Sequence, residues 1–472
     1  MRFDLIVVGG GSAGLVASAA AAGLGARVAL IEEHRLGGEC LWTGCVPSKA
    51  LIACGRVAQA VRDAGRFGVR VPAPAIDFAA VRGWVRDAQH RIEPHDSAER
   101  FRGMGVEVIR ARARFTGART LDADGRTLTT KRVLIATGSK PAIPPIDGLD
   151  AVPYLTNETI FDLERQPRTM LVLGGGPIGL ELAQAFARLG THAIVVEMSP
   201  RLLPREDDEL TERLRERLAA EGVTLLLGAR ATRAARDDGG GVALDISHDD
   251  GRTETLRGDA LLVATGRVSN TQTIEAAAGG VEVSKEGVVV DEGLRTTADG
   301  VWAAGDVTGG LRFTHVAGYQ AGLVIRNAFF PFRTKADYRV VPWVTFTEPE
   351  LAHVGLTEAA ARDAYGDHVR VWRQSFGDVD RAIVDGETSG LVKLVTDRKG
   401  RILGGHILGH GAGNLIAEVA LAMKHGVRAS ALATTIHAYP TYPEAVREAA
   451  QEQLKSRLTG VTKSIARWFA TR

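Results

Sequence analysis

Between Asp4 and Glu33 the chain reads DLIVVGGGSAGLVASAAAAGLGARVALIEE, and between Thr169 and Met198 it reads TMLVLGGGPIGLELAQAFARLGTHAIVVEM. Each stretch is a β-branched run, a glycine turn, an apolar helical segment and a second apolar run ending in an acid. Each also fits G-x-G-x-x-G, at Gly9, Gly11, Gly14 and at Gly174, Gly176, Gly179. With 55 glycines in 472 residues, about 0.7 such matches arise by chance, so the spacing alone says little. Context makes it specific. Both matches follow a strand, both open a helix, and in both an acid, Glu32 or Glu197, stands 18 residues past the third glycine. The first glycine makes the tight turn, the second lets a pyrophosphate approach the backbone, and the third lets helix pack on strand. The helix N-terminus attracts the phosphates, and the acid receives a ribose hydroxyl. Two Rossmann-like nucleotide-binding domains are therefore expected.

RVLIATGSKP (Arg132 to Pro141) and LLVATGRVSN (Leu261 to Asn270) read as buried strands running into small-residue turns. Thr137, Gly138 and Gly266 there let a strand end meet a cofactor closely. GVWAAGDVTGG is a further strand and turn, with Asp306 at its tip. From Tyr338 onward strands and helices mix, which suggests a separate α+β domain. The chain is thus an α/β protein divided as 1–150, 151–267, 268–337 and 338–472, the first and third parts forming one domain.

Charge and cysteine usage exclude several classes. The 58 basic and 56 acidic residues leave +2, which gives no support to nucleic-acid binding. Three cysteines cannot staple a secreted fold, so a reducing cytoplasm is expected. The N-terminus reads as a strand and turn rather than a signal peptide. Leu5 to Ala26 carries acceptable length for a bilayer span but too many glycines and alanines to favour insertion.

Two of the cysteines lie in GGECLWTGCVPSKALI, Gly37 to Ile52, with four residues between Cys40 and Cys45. So short a loop stabilises a fold only modestly as a disulfide, but as a redox couple it keeps both sulfurs within reach of one electron donor. A helix starting near Cys45 favours its thiolate. A zinc set of His34, Cys40, Cys45 and Cys54 would leave the two nucleotide folds unexplained, and no metal site is expected. Cys54 reads as a small buried hydrophobe. His315 reads as a packed histidine, and Glu350 as a residue that fixes a strand end.

These motifs, with FTEPELAHVGLTE and HAYPTYPE further on, follow the order seen in the class I pyridine nucleotide-disulfide oxidoreductases. The chain resembles this flavoprotein family of dihydrolipoamide dehydrogenase, glutathione reductase and mercuric reductase along nearly its whole length. The resemblance implies FAD in the first fold, with Glu32 on its ribose and Asp306 on its ribityl chain, and NAD(H) in the second. It implies that Cys40 exchanges with substrate while Cys45 faces the flavin. Lys49 matches the lysine that the family pairs with a glutamate, here Glu181. It also implies a homodimer built on the C-terminal domain. NADP(H) is disfavoured, since Glu197 stands where a 2′-phosphate would sit and like charges there repel by more than about 1 kcal/mol. Arg201 and Arg205 act in the other direction.

The chain departs from the family at HAYPTYPEA, where disulfide reductases carry a His-Pro-Thr and a glutamate. Pro440, Thr441 and Glu444 keep the register, but Tyr439 replaces the histidine. A phenol with a pKa near ~10 is a poor base at neutral pH. His437 is two positions away, on the other side of an extended segment. Tyrosine here resembles mercuric reductase, yet no cysteine follows Cys54 to deliver a metal. The expected function is transfer of electrons between nicotinamide, flavin, the Cys40–Cys45 pair and a disulfide or dithiol substrate. The alternatives are a mercuric-reductase-like reductase of soft metal ions or quinones and an atypical dihydrolipoamide dehydrogenase. An extra C-terminal helix is expected from Leu454, Leu458, Val461, Ile465 and Trp468 at helical spacing, with Lys455, Arg457, Lys463 and Arg467 between them. Packing on its own domain is favoured over a membrane-surface contact.

Overall fold

A computed structural model of the chain describes residues 2–456 and 467–471. It contains two compact units, Met1–Gly174 with Ala185–Val196 and Arg230–Asp337, and Gly175–Gln184 with Glu197–Ala229 and Tyr338–Arg472.

In the first unit the opening motif folds as β1 (Leu5–Val8), α1 (Ser12–Gly23) and β2 (Val28–Glu32). The cysteine stretch follows as α2 (Gly38–Trp42) and α3 (Cys45–Asp63). Next come β3 (Glu107–Arg110) and an antiparallel run of β4 (Ala113–Gly117), β5 (Thr120–Ala123) and β6 (Arg126–Thr130). The ATG segments contribute β7 (Val133–Ile135) with β8 (Ser139–Pro141), and later β11 and β12. The second glycine motif, of which Gly175–Gln184 and Glu197 fall in the second unit, gives β9 (Thr169–Leu173), α4 (Pro177–Arg188) and β10 (His192–Glu197). Then follow β11 (Ala260–Val263), β12 (Arg267–Ser269), β13 (Val301–Ala303) and α5 (Thr314–Phe329).

Strands β13, β7, β1, β2 and β3 make one parallel sheet in that order. Alternate side chains sort to its two faces, as the strand period of two requires. Leu5, Val7, Leu30, Leu134 and Trp302 meet α1 and α5. Ile6, Val8, Ile31, Val133 and Ile135 meet Phe115, Leu121 and Leu128 of the antiparallel run. Both faces are covered, so the strands read as unbroken apolar runs rather than alternating ones. The Ala-rich sequence of α1 has its reason here: Ala17 and Ala21 share a core with Ala317 and Ala321 of α5, with no exposure at Ala17, Ala21 or Ala321. A larger residue at Ala17 would overpack that seam and cost about 1–3 kcal/mol. Strand β9 pairs in parallel with both β10 and β11, repeating the βαβ arrangement.

The second unit holds an antiparallel sheet of β14 (Pro342–Thr345), β15 (Glu350–Gly355), β16 (Val369–Ser375), β17 (Leu391–Asp397) and β18 (Ile402–Gly409). Their order is β14, β15, β18, β17, β16. Between β16 and β17 lies α6 (Asp380–Asp385), and after β18 come α7 (Ala412–Lys424) and α8 (Glu444–Lys455). The apolar stripe of α7, Leu415, Ile416 and Val419, and that of α8, Val446, Ala449 and Ala450, close the core over this sheet. Glu350 accepts the Gly413 N–H at the start of α7 at 2.8 Å, as expected of a residue fixing a strand end. The structure is a mixed α/β fold with a C-terminal α+β part. No helix among the described residues is long and apolar enough to cross a membrane. Of the tail positions, Arg457, Leu458, Val461, Lys463 and Ile465 lie outside the described residues, while Trp468 is exposed.

Candidate active site

The first glycine loop has one side closed and one side open. Gly9 has φ +107°, and a Cβ on it would lie 2.3 Å from the Ala136 carbonyl oxygen. A Cβ on Gly14 would lie 1.8 Å from the Gly9 oxygen, so helix-to-strand packing forbids a side chain at both positions. Gly11 is different. Its φ is −83°, which any residue adopts, and a Cβ there would meet only the Gly38 Cα at 3.9 Å. Neither strain nor packing requires a glycine at Gly11, and its bare backbone leaves room for an approaching ligand. Gly11 caps α1 with no side-chain hydrogen bond, leaving the N-terminal amides for an anion. The second loop repeats this. Gly174 has φ +109° with the Ala264 oxygen 2.5 Å from its Cβ position, whereas a Cβ on Gly176 would meet nothing within 4 Å.

The two acids also match each other. Glu32 accepts the amides of Gly10 and His34, each at 2.7 Å. Glu197 accepts those of Gly175 at 2.6 Å and Ser199 at 2.7 Å. Each carboxylate is fixed at the end of its strand beside the glycine turn. Thr137 and Asn270 link the first ATG turn to the segment after β12, the hydroxyl donating to the Asn270 carbonyl at 2.6 Å. Gly138 and Gly266 both have positive φ. The donor set and open cradles fit dinucleotide phosphates in both motifs.

Cys40 is partly buried and Cys45 exposed, and the two sulfurs are not bonded to each other. Cys45 begins the 19-residue α3, whose cap, Gly44, offers no side-chain hydrogen bond. Its sulfur therefore sits at the positive end of a long helix, which favours a thiolate. The Cys45 sulfur is 3.6 Å from the Thr314 hydroxyl at the start of α5. Its hydrogen bond to Cys40 pushes the Cys40 thiol up, and burial and the charge on Cys45 push the same way. This arrangement favours charge at Cys45 and the proton at Cys40. Lys49 lies one turn further along α3, half-buried. Burial pushes the thiol of Cys54, on the same helix, up. His315 stacks on Phe313, with ring centroids 5.3 Å apart.

A network that sequence reasoning missed runs behind the cysteine turn. Glu39, adjacent to Cys40, contacts the Arg267 guanidinium and accepts from the Asn157 amide at 2.7 Å. Arg267 also donates to the Ser139 hydroxyl at 2.8 Å, and that hydroxyl donates to Asp306 at 2.5 Å. Pairing of β12 with β8, Arg267 opposite Pro141 and Ser269 opposite Ser139, brings these groups together. Glu39 was visible inside the quoted cysteine stretch; Arg267 and Ser139 sit in the two ATG segments and carried no separate signal.

In the second unit Glu181 is buried and accepts the Phe346 amide at 2.8 Å. Tyr439 is 71% exposed, and its hydroxyl donates to Asp380 of α6 at 2.8 Å. That hydrogen bond, together with the charge of Asp380, holds the phenol above its ordinary pKa. Glu444 is buried and serves Thr441, whose amide it accepts at 3.4 Å, and Arg447 at 2.9 Å. His437 is committed elsewhere, to Glu418 at 3.0 Å. Tyr439 and His437 therefore have different partners, as their alternation suggested. Asp380 was not foreseen, since nothing in its local sequence marks it.

Known proteins share this construction. Residues 3–321 match the family described as pyridine nucleotide-disulphide oxidoreductase, and residues 341–450 match its dimerisation domain. A mercuric reductase of Streptomyces lividans is 38% identical over 457 residues, covering 95% of this chain and 96% of that protein. A dihydrolipoyl dehydrogenase of Chlorobaculum tepidum is 34% identical, covering 96% and 98%. The Cu(II) complex of the HOCl-induced flavoprotein disulfide reductase RclA from Escherichia coli superposes with a TM-score of 0.87 at 28% identity, over 96% of this chain and 99% of that one. Paired glycine cradles, a helix-capped dithiol and a dimerisation domain, matched along nearly the whole length, make this chain a member of the pyridine nucleotide-disulphide oxidoreductase family, whose members use FAD and a pyridine nucleotide.

Proposed function

We propose that the protein is an FAD-dependent, NADH-linked oxidoreductase that passes two electrons through the Cys40–Cys45 pair to a disulfide substrate. The observation that carries this is the placement of the dithiol: Cys45 stands at the head of α3, where a thiolate is favoured, and its hydrogen bond and burial push the neighbouring Cys40 thiol up. FAD, when bound, supplies the two-electron link between nicotinamide and sulfur. Gly9, Gly11, Gly14, Glu32, Thr137, Gly138 and Asp306 would hold it, with Lys49 adding positive charge near the sulfur that faces it. Gly174, Gly176, Gly179, Glu197 and Gly266 would hold the nicotinamide nucleotide, and Glu181 would line its side of the site. NADH is favoured because the Glu197 carboxylate ends its strand and Arg201 is already paired with Asp208. We assign residues 1–150 with 268–337 to the FAD domain, 151–267 to the NAD domain and 338–472 to a homodimer-forming domain. Three cysteines in 472 residues suit a reducing cytoplasm.

A second reading has its own support. Tyr439 is an exposed phenol kept neutral by Asp380, and neutral phenol is a poor base for dithiol chemistry. Relatives are named mercuric reductase, and the RclA structure is a Cu(II) complex. Reduction of a soft metal ion or a quinone would need no imidazole at this position, and Tyr439 with Glu444 would then shape the acceptor site.

Steady-state turnover with NADH and NADPH against lipoamide, glutathione disulfide, other disulfides, mercuric and cupric salts and quinones tests both readings. Disulfide turnover with NADH preferred is the expected result. Turnover confined to metal ions or quinones, lost in Tyr439→Phe while flavin reduction stays normal, replaces the first reading with the second. A preference for NADPH refutes the role given to Glu197.

A further inference from the structure

Arg267 serves two carboxylates. Its guanidinium contacts Glu39 directly and lies 3.8 Å from Asp306, with the Ser139 hydroxyl set between the arginine and that second acid. Its side chain is 13% exposed and those of Glu39 and Asp306 are 32% and 22% exposed, so water screens the group only in part. Glu158 adds a third negative charge, and Cys45 becomes a fourth when it is a thiolate. Among the described residues, the charged groups that act on Glu39 include the cation Arg267 and the anions Asp306, Glu158 and ionised Cys45. Asn157 is neutral. It clamps Glu39 to the cysteine turn by donating both to the Glu39 carboxylate at 2.7 Å and to the Thr43 carbonyl at 3.2 Å. Gly44, the residue before Cys45, has its Cβ position 3.4 Å from the Glu39 Cγ. The carboxylate is therefore held against the turn that carries both sulfurs.

We propose that Glu39 is a positioning residue that takes up a proton when the Cys40–Cys45 disulfide is reduced, offsetting the charge of the new Cys45 thiolate. This rests on the dithiol reading above. Hydride from a reduced pyridine nucleotide brings two electrons and one proton. The S–S bond breaks, Cys40 becomes a thiol, Cys45 a thiolate, and the nucleotide is oxidised, with no solvent proton exchanged. Glu39 adds one step to that balance: its carboxylate gains a proton from solvent and becomes a carboxylic acid. Burial pushes the Glu39 carboxyl up to about 7 in the dithiol form, against the pull of Arg267 and with Asp306, Glu158 and Cys45 pushing the same way. In the disulfide form Cys45 carries no charge and that part of the push is absent, so Glu39 releases its proton more readily.

Anaerobic reduction of the flavin-loaded protein with one equivalent of NADH, in weakly buffered solution near pH ~7 with an indicator dye, measures solvent-proton uptake directly. Thiols are counted after a denaturing quench. The wild type should take up a fraction of one proton per disulfide reduced, and Glu39→Gln should lose that uptake while still yielding two thiols. Glu39→Asp should restore it in part. Equal uptake in wild type and Glu39→Gln overturns the proposal, and a reduction that yields no thiol pair overturns the dithiol reading beneath it. Should Glu39→Gln fail to hold flavin, the reduced-minus-oxidised infrared spectrum of the wild type decides. A gained carboxylic-acid band supports the proposal, and its absence overturns it.

Discussion

Substituting alanine at Gly11 separates ligand binding from folding. At Gly14 the added methyl would sit 1.8 Å from the Gly9 oxygen, a backbone atom that cannot move aside, and at Gly9 it would sit 2.3 Å from the Ala136 oxygen. At Gly11 it would touch only the Gly38 Cα at 3.9 Å, an ordinary contact, in a backbone conformation that alanine adopts. Gly11→Ala should therefore leave the flavin-free protein as stable as wild type, or stabilise it by about 0.4–1 kcal/mol by restricting the unfolded chain. Gly14→Ala should destabilise it by about 1–3 kcal/mol. The methyl at Gly11 points into the space over the α1 amides. Displacing a phosphate from one such amide loses a charge-assisted hydrogen bond of about 1.5–3 kcal/mol, which lowers FAD affinity roughly 10- to 150-fold. The assay pairs flavin-free melting with fluorescence titration of FAD into both variants. Wild-type FAD affinity in Gly11→Ala, or destabilisation of Gly11→Ala like that of Gly14→Ala, refutes the reasoning. Gly176→Ala is the matching test in the second motif, where KM for NADH should rise with flavin content unchanged.

Two further outcomes are expected. Cys45→Ser should keep its flavin yet lose the long-wavelength thiolate–flavin charge-transfer absorption of the two-electron-reduced protein; a retained band would place the flavin-facing thiolate elsewhere. Lys393 is 3% exposed and pairs with Asp207 and Glu358 at 2.8 Å and Glu209 at 3.1 Å. Lys393→Met takes the buried cation from Asp207 and leaves Glu209 and Glu358 only Arg373 and Arg362, and it should cost about 3–5 kcal/mol in denaturant unfolding. Burial pushes the Glu358 carboxyl up, but hydrogen bonds from Lys393 and Arg362 outweigh it and hold it at about 2 against an ordinary 4.5. Because the folded value is depressed, this stability is complete above pH 4.5 and is lost as pH falls toward 2. In Lys393→Met that segment of the acid-unfolding profile should shrink, Arg362 and Arg373 still holding Glu358, and an unaltered acid profile would remove the assignment.

The nucleotide-binding halves were legible in the sequence because their determinants are local. A tight turn, a helix start and an acid at a strand end all lie within 30 residues, and the steric demands at Gly9 and Gly14 act on the backbone itself. The cysteine turn was legible for the same reason, since six positions, Cys40 to Cys45, and one helix N-terminus define it. The tertiary structure decided what surrounds them. Glu39 and Arg267 are 228 residues apart, and Asp380 and Tyr439 are 59 apart. Such pairs leave no periodic trace, because each residue alone looks like an ordinary surface charge until strand pairing or helix packing brings its partner up. The same holds for Lys393, which reads as one lysine in an apolar strand and becomes intelligible only with Asp207, Glu209 and Glu358 around it. Spacing along the chain specified the two cradles and the dithiol, while the charges that tune them were set by burial and by contacts between distant segments, where low dielectric makes each neighbour count.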